Sequence, residues 1–192
     1  IPGNHDVYYK NTNELNSIQT ILAQYSDRIH IHMDPTVVNY DGLDVALLPW
    51  MCKENEDKCI QFINTAAAPI LMGHLELGGF QYMAGANIKS HGMDKKMFNR
   101  YEAVYTGHYH TKSTQENITY LGTQYELTWS DAGDPKHFHI LDTETRNVIP
   151  VRNTNVLFQK IFYDGDDEVV ITKEQIENTY IKVIVTNKKD LY

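Results

Sequence analysis

Three short stretches of this sequence carry residues fit for chemistry, and they share one local grammar. They are Gly3-Asn4-His5-Asp6, Gly73-His74 and Gly107-His108-Tyr109-His110. In each, a short apolar run meets glycine, and a metal-capable side chain follows. A strand end holds such a side chain rigidly, and the glycine lets the backbone turn sharply into a site. In an open α/β sheet, residues at the carboxyl ends of strands converge on one crevice. In an extended segment His108 and His110 point to the same side, so both are expected to face that crevice. Neutral imidazoles and a carboxamide oxygen suit manganese, iron or zinc. Taken singly, each stretch reads as a turn or a packed histidine. Taken together, after strands and in this order, they predict that Asn4, His74, His108 and His110 converge on a metal site. His30, His32, His137 and His139 sit in alternating segments and read as surface or packed residues.

The elements that must position these residues are legible in part. Leu15, Ile18, Ile21, Leu22 and Tyr25 recur at helical spacing and predict a helix over 14–25. Residues 28–33 alternate as a short strand. Residues 37–40 and 43–48 flank Asp41-Gly42, a strong hairpin signal. A helix is expected over 53–67, ended by Pro69. Short strands over 70–72 and 103–106 feed the two later glycines. Between them, 77–90 reads as irregular, and Asp94 caps a short helix running to Arg100. Strands are expected over 118–121, 137–141, 147–151 and 156–162, then a short helix near 173–177 and a strand over 180–185. Helices alternate with strands early and strands dominate later, which predicts an α/β sandwich with mixed sheets. An acidic, glycine-containing linker over 164–168 marks a boundary, giving segments 1–163 and 164–192.

The bulk numbers narrow the class. A chain of 192 residues with 42% hydrophobic and 22% charged residues is that of a globular protein with one sizeable core. No apolar run approaches the roughly 20 residues of a membrane span. No signal peptide is visible, so a cytoplasmic setting is expected, that of the host cell if the source is viral. Cys52 and Cys59 read as free thiols on one helix face, two turns apart and too far for a disulfide. The Asn117-Ile118-Thr119 sequon reads as chance. A net charge of −8 argues against a free-standing nucleic-acid binder, because phosphate contacts usually need a basic surface. It leaves room for an enzyme that holds phosphates through bound cations.

On these motifs the sequence resembles the calcineurin-like metallophosphoesterases, whose later motifs are similar to "GNHD", "GH" and "GHYH". The stretches "LLPWM", "GHLELGGF", "KSHGMD", "TGHYH" and "GTQYELTWSDAGDPKHFHILDTE" resemble one branch of that family, the SbcD-like nuclease subunits of tailed-phage recombination endonucleases. The likeness runs from Ile1 to about Arg152. It implies a four-layer sandwich of two mixed sheets flanked by helices. It also implies a two-metal deoxyribonuclease that cleaves phosphodiester bonds at DNA ends in recombination and repair. By this resemblance Asn4, His74 and His108 hold one ion and His110 a second. His5 stabilises the transition state or protonates the leaving oxygen, and Asp6 orients His5. The ions are manganese, with iron or zinc as alternatives, and two ions about 3.5–4 Å apart can clamp an in-line displacement. The implied partners are DNA, an SbcC-like ATPase subunit and, in the complete protein, a second copy of the chain.

The resemblance carries further expectations. The family's Asp-x-His and Gly-Asp motifs precede "GNHD", so the chain is expected to be a fragment lacking the start of its catalytic domain and inactive alone. The strand "YIKVIVTN" is similar to the first strand of the family's DNA-capping domain. Gln124 and His137 depart from the family pattern. Lys89, His91, Lys95, Lys96 and Arg100 form a local basic cluster that either places DNA or is a solvated face. The rival functions are a metallophosphatase or phosphodiesterase acting on a small molecule, and a catalytically dead platform.

Overall fold

The computed structural model describes residues 1–83, 85–164 and 170–186. Its centre is a mixed sheet of six strands in the order β1-β2-β3-β4-β6-β5. These strands are β1 (Thr36–Tyr40), β2 (Leu43–Leu48), β3 (Ile70–His74), β4 (Ala103–Gly107), β5 (Ser113–Gln115) and β6 (Ile118–Tyr120). The β1–β2 hairpin turns at Asp41 (φ 49°) and Gly42 (φ 90°), both left-handed, as a two-residue loop of the favoured hand requires. The Asn39 side chain stitches that turn, accepting from the Gly42 N–H at 3.0 Å and donating to Asp44 at 2.7 Å. β2, β3, β4 and β6 then run parallel, which explains their apolar sequences: a parallel strand is buried on both faces.

The two faces are covered differently. On one lie α2 (Glu56–Thr65) and the 3-10 turn Lys95–Phe98. Cys59 and Ile63 of α2 pack there with Leu48, Leu71, Phe98 and Tyr101 in one buried cluster. The Tyr101 hydroxyl donates to the Ile63 carbonyl at 2.9 Å, locking the turn to the helix. On the other face Val45, Leu47 and Ile70 pack with Ile1, Met72, Tyr105 and Leu141. Leu141 ends β7 (His137–Leu141), which pairs antiparallel with β8 (Val148–Arg152).

Several expectations are revised. The α/β class with mixed strand directions holds, and among the described residues the strands form one six-stranded mixed sheet and two separate pairs. The first helix shortens to α1 (Ser17–Leu22) with a 3-10 turn after it, because Asn16 caps it by accepting from the Gln19 N–H at 2.7 Å. Its apolar residues are not buried. The strand expected over 28–33 does not form, since β1 occupies the sheet edge and leaves that segment no neighbour. Only Cys59 lies in α2; Cys52 precedes it, and both are free and buried, with burial pushing the Cys59 thiol up to about 11. The Asn117 amide donates to the carbonyls of Phe98 and Tyr101, a structural use.

β9 (Phe158–Tyr163) and β10 (Tyr180–Val185) pair in parallel, with α3 (Lys173–Ile176) between them in sequence. They lie on either side of residue 164. Residues 165–168, most of the expected acidic linker, fall outside the described residues.

Candidate functional site

Because β2, β3 and β4 are parallel, their carboxyl ends share one edge of the sheet. Trp50 follows β2 there, His74 ends β3, and His108 follows β4. The N-terminal segment crosses the same edge: the Pro2 carbonyl accepts from the Trp50 N–H at 2.9 Å. This sets the Gly3–Asp6 turn over the end of β3. Asn4 Oδ1 lies 2.8 Å from His74 Nε2 and 3.2 Å from His108 Nδ1. Side chains far apart in sequence thus meet at one point.

Glycine makes the approach possible. A Cβ on Gly3 would fall 2.8 Å from His74 Nδ1, and one on Gly107 would fall 3.0 Å from the same atom. Either is closer than a carbon tolerates against an unyielding ring. The turn itself is closed by Asp6, whose Oδ2 accepts from the Gly3 N–H at 2.7 Å. Ser17 Oγ donates to Asp6 Oδ1 at 3.4 Å, tying the turn to α1. Asp6 therefore serves the turn; no hydrogen bond joins it to His5 among the described residues.

His108 has φ 90°, a conformation that costs a non-glycine residue on the order of 1–3 kcal/mol. It breaks the extended geometry that would have put His108 and His110 on one side. The His108 ring turns to Asn4. Tyr109 drops into the core, stacks on Tyr120 at 4.3 Å and donates to the Leu77 carbonyl. His110 points its Nδ1 at Asp131, 3.1 and 3.2 Å from the two carboxylate oxygens. The structure therefore brings Asn4, His74 and His108 together and gives His110 a different partner.

Trp50 walls the trio, its ring centroid 5.4 Å from that of His108 and 5.9 Å from that of His74. Its carbonyl is held by the amides of Asn13 and Asn55 at 2.7 and 3.1 Å. A cleft of ≈ 180 Å³ opens beside it, lined by Trp50, Met51, His74, Glu76 and Met93. Burial, and then the neighbouring His108, push the His74 imidazole down to about 4, so it is neutral at pH 7 with a lone pair to offer. Burial lowers His108 as well. A hydrogen bond from Lys89 holds the Glu76 carboxyl below its ordinary value. His5 is exposed at the lip of the turn, on a second cleft of ≈ 400 Å³ shared with Tyr8, Leu15 and Ile21.

The basic cluster is mostly committed internally. Lys89 bonds Glu76 at 2.6 Å and lies over the rings of Tyr82 and Tyr109. Lys95 bonds Glu116 at 2.8 Å, and Arg100 donates to the Ile63 carbonyl at 3.2 Å and lies over Tyr101. Lys96 and His91 are exposed. Of these, Lys96 is best able to meet a phosphate; if the cluster places DNA, Lys96→Glu should flatten the salt dependence of that binding by about one counterion in the log–log slope. Lys95→Glu should act mainly through its lost pair with Glu116. Equal slopes for wild type and Lys96→Glu would return the cluster to a solvated face.

Trp50, Asp131 and Lys136 escape a motif reading. Trp50 was findable: it follows a parallel strand, as His74 and His108 do. Asp131 and Lys136 lie in a polar stretch that resembles surface loop, yet they are 1% and 3% exposed.

Parallel strand ends that gather an asparagine, two histidines and a tryptophan over one sheet edge define an α/β protein with a candidate site at the strand carboxyl ends. The chain is 37% identical over 186 residues to Exonuclease subunit 1 of Enterobacteria phage T4. That alignment covers 97% of this chain and 53% of the phage protein, so the chain spans about half the length of this relative. No family model matches the chain.

Proposed function

We propose that this chain forms part of a metal-dependent deoxyribonuclease of the calcineurin-like metallophosphoesterase type. It would act on DNA ends in recombination or repair, as the nuclease subunit beside an SbcC-like ATPase. The observation that carries the reading is the approach of His74 Nε2 and His108 Nδ1 to 2.8 and 3.2 Å from the same atom, Asn4 Oδ1. The donor set fits a first-row cation. Bonds of about 2.0–2.2 Å place neighbouring donor atoms about 3 Å apart, the spacing found here. The His74 ring is already neutral, as a ligand must be. Among the described residues no three His, Cys, Asp or Glu side chains are gathered as a metal site; the trio is two imidazoles completed by a carboxamide. The name of the phage relative, an exonuclease subunit, supports a nuclease role in a multi-subunit setting.

In this reading Asn4, His74 and His108 hold one divalent ion, manganese in the first instance, and His110 serves a second. Such ions supply Lewis-acid stabilisation of the charge that develops on a phosphodiester. The chain's own residues do the rest. His5, at the lip, donates a proton to the leaving 3′-oxygen. Asp6 fixes the turn that presents both Asn4 and His5. Trp50 closes one flank to water. In this reading the described segment past residue 164 belongs to a separate DNA-capping unit.

The test is a manganese-dependent nuclease assay on the full-length gene product. His5→Ala is expected to lower the rate on the order of 10²–10⁴-fold, the usual range for a general acid, with manganese affinity unchanged. Full activity in His5→Ala would remove that residue from the mechanism, and no hydrolysis of DNA by the wild type with manganese would remove the reading.

A further inference from the structure

The strongest polar construction in the molecule that the trio does not use lies behind His110. Asp131 is 1% exposed, and its two oxygens face five donors: His110 Nδ1, Lys136 Nζ, the N–H groups of Leu127 and Thr128, and Thr128 Oγ1. Burial alone would raise the Asp131 carboxyl, but the bond from Lys136 and those from Thr128 outweigh it and hold it below its ordinary value. It is therefore an anion with every lone pair spoken for. Lys136, 3% exposed, donates to Asp131 at 3.0 Å, to Asp134 at 2.8 Å and to the His110 carbonyl at 2.9 Å.

The same backbone is pinned from the other side. The His110 N–H donates to the Tyr82 carbonyl at 2.9 Å, and the Thr123 N–H donates to the His110 carbonyl at 3.0 Å. Gly122, at φ 75°, lets the next loop pass: a Cβ there would sit 2.9 Å from that carbonyl oxygen. The His110 side chain is held at main chain and ring together, and a quarter of it still reaches solvent.

We infer that Asp131, clamped by Lys136, is a positioning residue that holds a proton on His110 Nδ1, so that the neutral form of the ring is the Nδ1–H tautomer with Nε2 bare and facing out of the pair. An anionic carboxylate with no hydrogen of its own can only accept, so the nitrogen beside it must carry the proton. The free lone pair is then assigned to Nε2 before any ligand arrives. This deepens the proposed function by giving His110 a defined ligating atom, and it rests on that reading only for the identity of the ligand. Carboxylates placed this way behind a ligating histidine fix ring orientation and raise its basicity, and their loss typically costs 10–100-fold in metal affinity.

The test is ¹⁵N NMR of the full-length protein labelled at histidine, metal-free at pH 9, where an ordinary imidazole is neutral. His110 resonances are identified by their loss in His110→Gln. The expected result is one protonated Nδ1 and one bare Nε2 in the wild type. In Asp131→Asn, tautomer averaging is expected, with manganese affinity reduced 10–100-fold. A protonated Nε2, or a doubly protonated ring, in the wild type overturns the inference without recourse to any variant. So does an unaltered tautomer in Asp131→Asn. If the tautomer behaves as expected and manganese binds neither protein, the positioning stands and the metal reading of the site fails.

Discussion

His74→Ala is expected to lower the rate of manganese-dependent DNA hydrolysis by about 10³-fold in the full-length protein. Under the proposed function this change removes one ion ligand and unties the Asn4 side chain in the same stroke, since Asn4 Oδ1 rests on His74 Nε2 at 2.8 Å. A bound cation supplies several kcal/mol of transition-state stabilisation. At about 1.4 kcal/mol per power of ten, that is roughly three decades in rate. Manganese affinity should fall with it. His30→Ala, an exposed histidine outside the trio and the basic cluster, is the control and should leave both quantities unchanged. The melting temperature of each variant separates lost chemistry from lost fold. An active His74→Ala protein with wild-type manganese affinity would mean that the trio is a packing arrangement.

The second large effect is on stability in acid. In the metal-stripped protein, lowering the pH from 7 to 4 should cost about 3 kcal/mol through His74 alone. The unfolded His74 takes up a proton near 6.5, whereas the folded one resists until about 4, because it is buried and next to His108. Between those values the unfolded chain binds more protons, so stability falls as the pH falls and the loss is complete below about 4. Burial of His108 adds to the loss in the same direction. Urea unfolding at pH 7 and pH 4 measures it, with His74→Gln as the comparison that subtracts the carboxylates. The wild type should lose about 3 kcal/mol more than His74→Gln across that interval. Parallel losses in the two proteins would show that His74 does not titrate as its surroundings require.

Much of the frame that carries these effects could be read from residue order. The hairpin at Asp41-Gly42 and the strands His137–Leu141 and Tyr180–Val185 fall where pattern and turn chemistry place them. β3 and β4 do too, because parallel strands need continuous apolar runs and theirs stop at glycine. What could not be read depended on neighbours. Residues 28–33 alternate like a strand, but alternation has no consequence without an edge to join. β5 is three polar residues that become a strand only by pairing with β6. Of the site, Asn4, His74 and His108 were legible because each follows a short run ending in glycine. The pairing of His110 Nδ1 with Asp131 was not, because it depends on a partner 21 residues further along the chain. Asp131 and Lys136 were hidden for a different reason: a buried ion pair looks like a surface loop until its partners are known.

Trp50 makes the sheet edge self-reporting. Only two tryptophans occur in the chain, and this one has its indole within 5.9 Å of both imidazoles of the trio. Its main chain is fastened to Pro2, Asn13 and Asn55, so the fluorophore cannot drift away from what it observes. The other, Trp129, rests against Phe158 and opens the 3-10 turn Trp129–Asp131, so it sits beside the carboxylate that holds His110. A protonation or a paramagnetic cation arriving beside His74 and His108 is therefore expected to change the emission of Trp50. Occupancy can be followed in real time, in the unlabelled protein, by light alone.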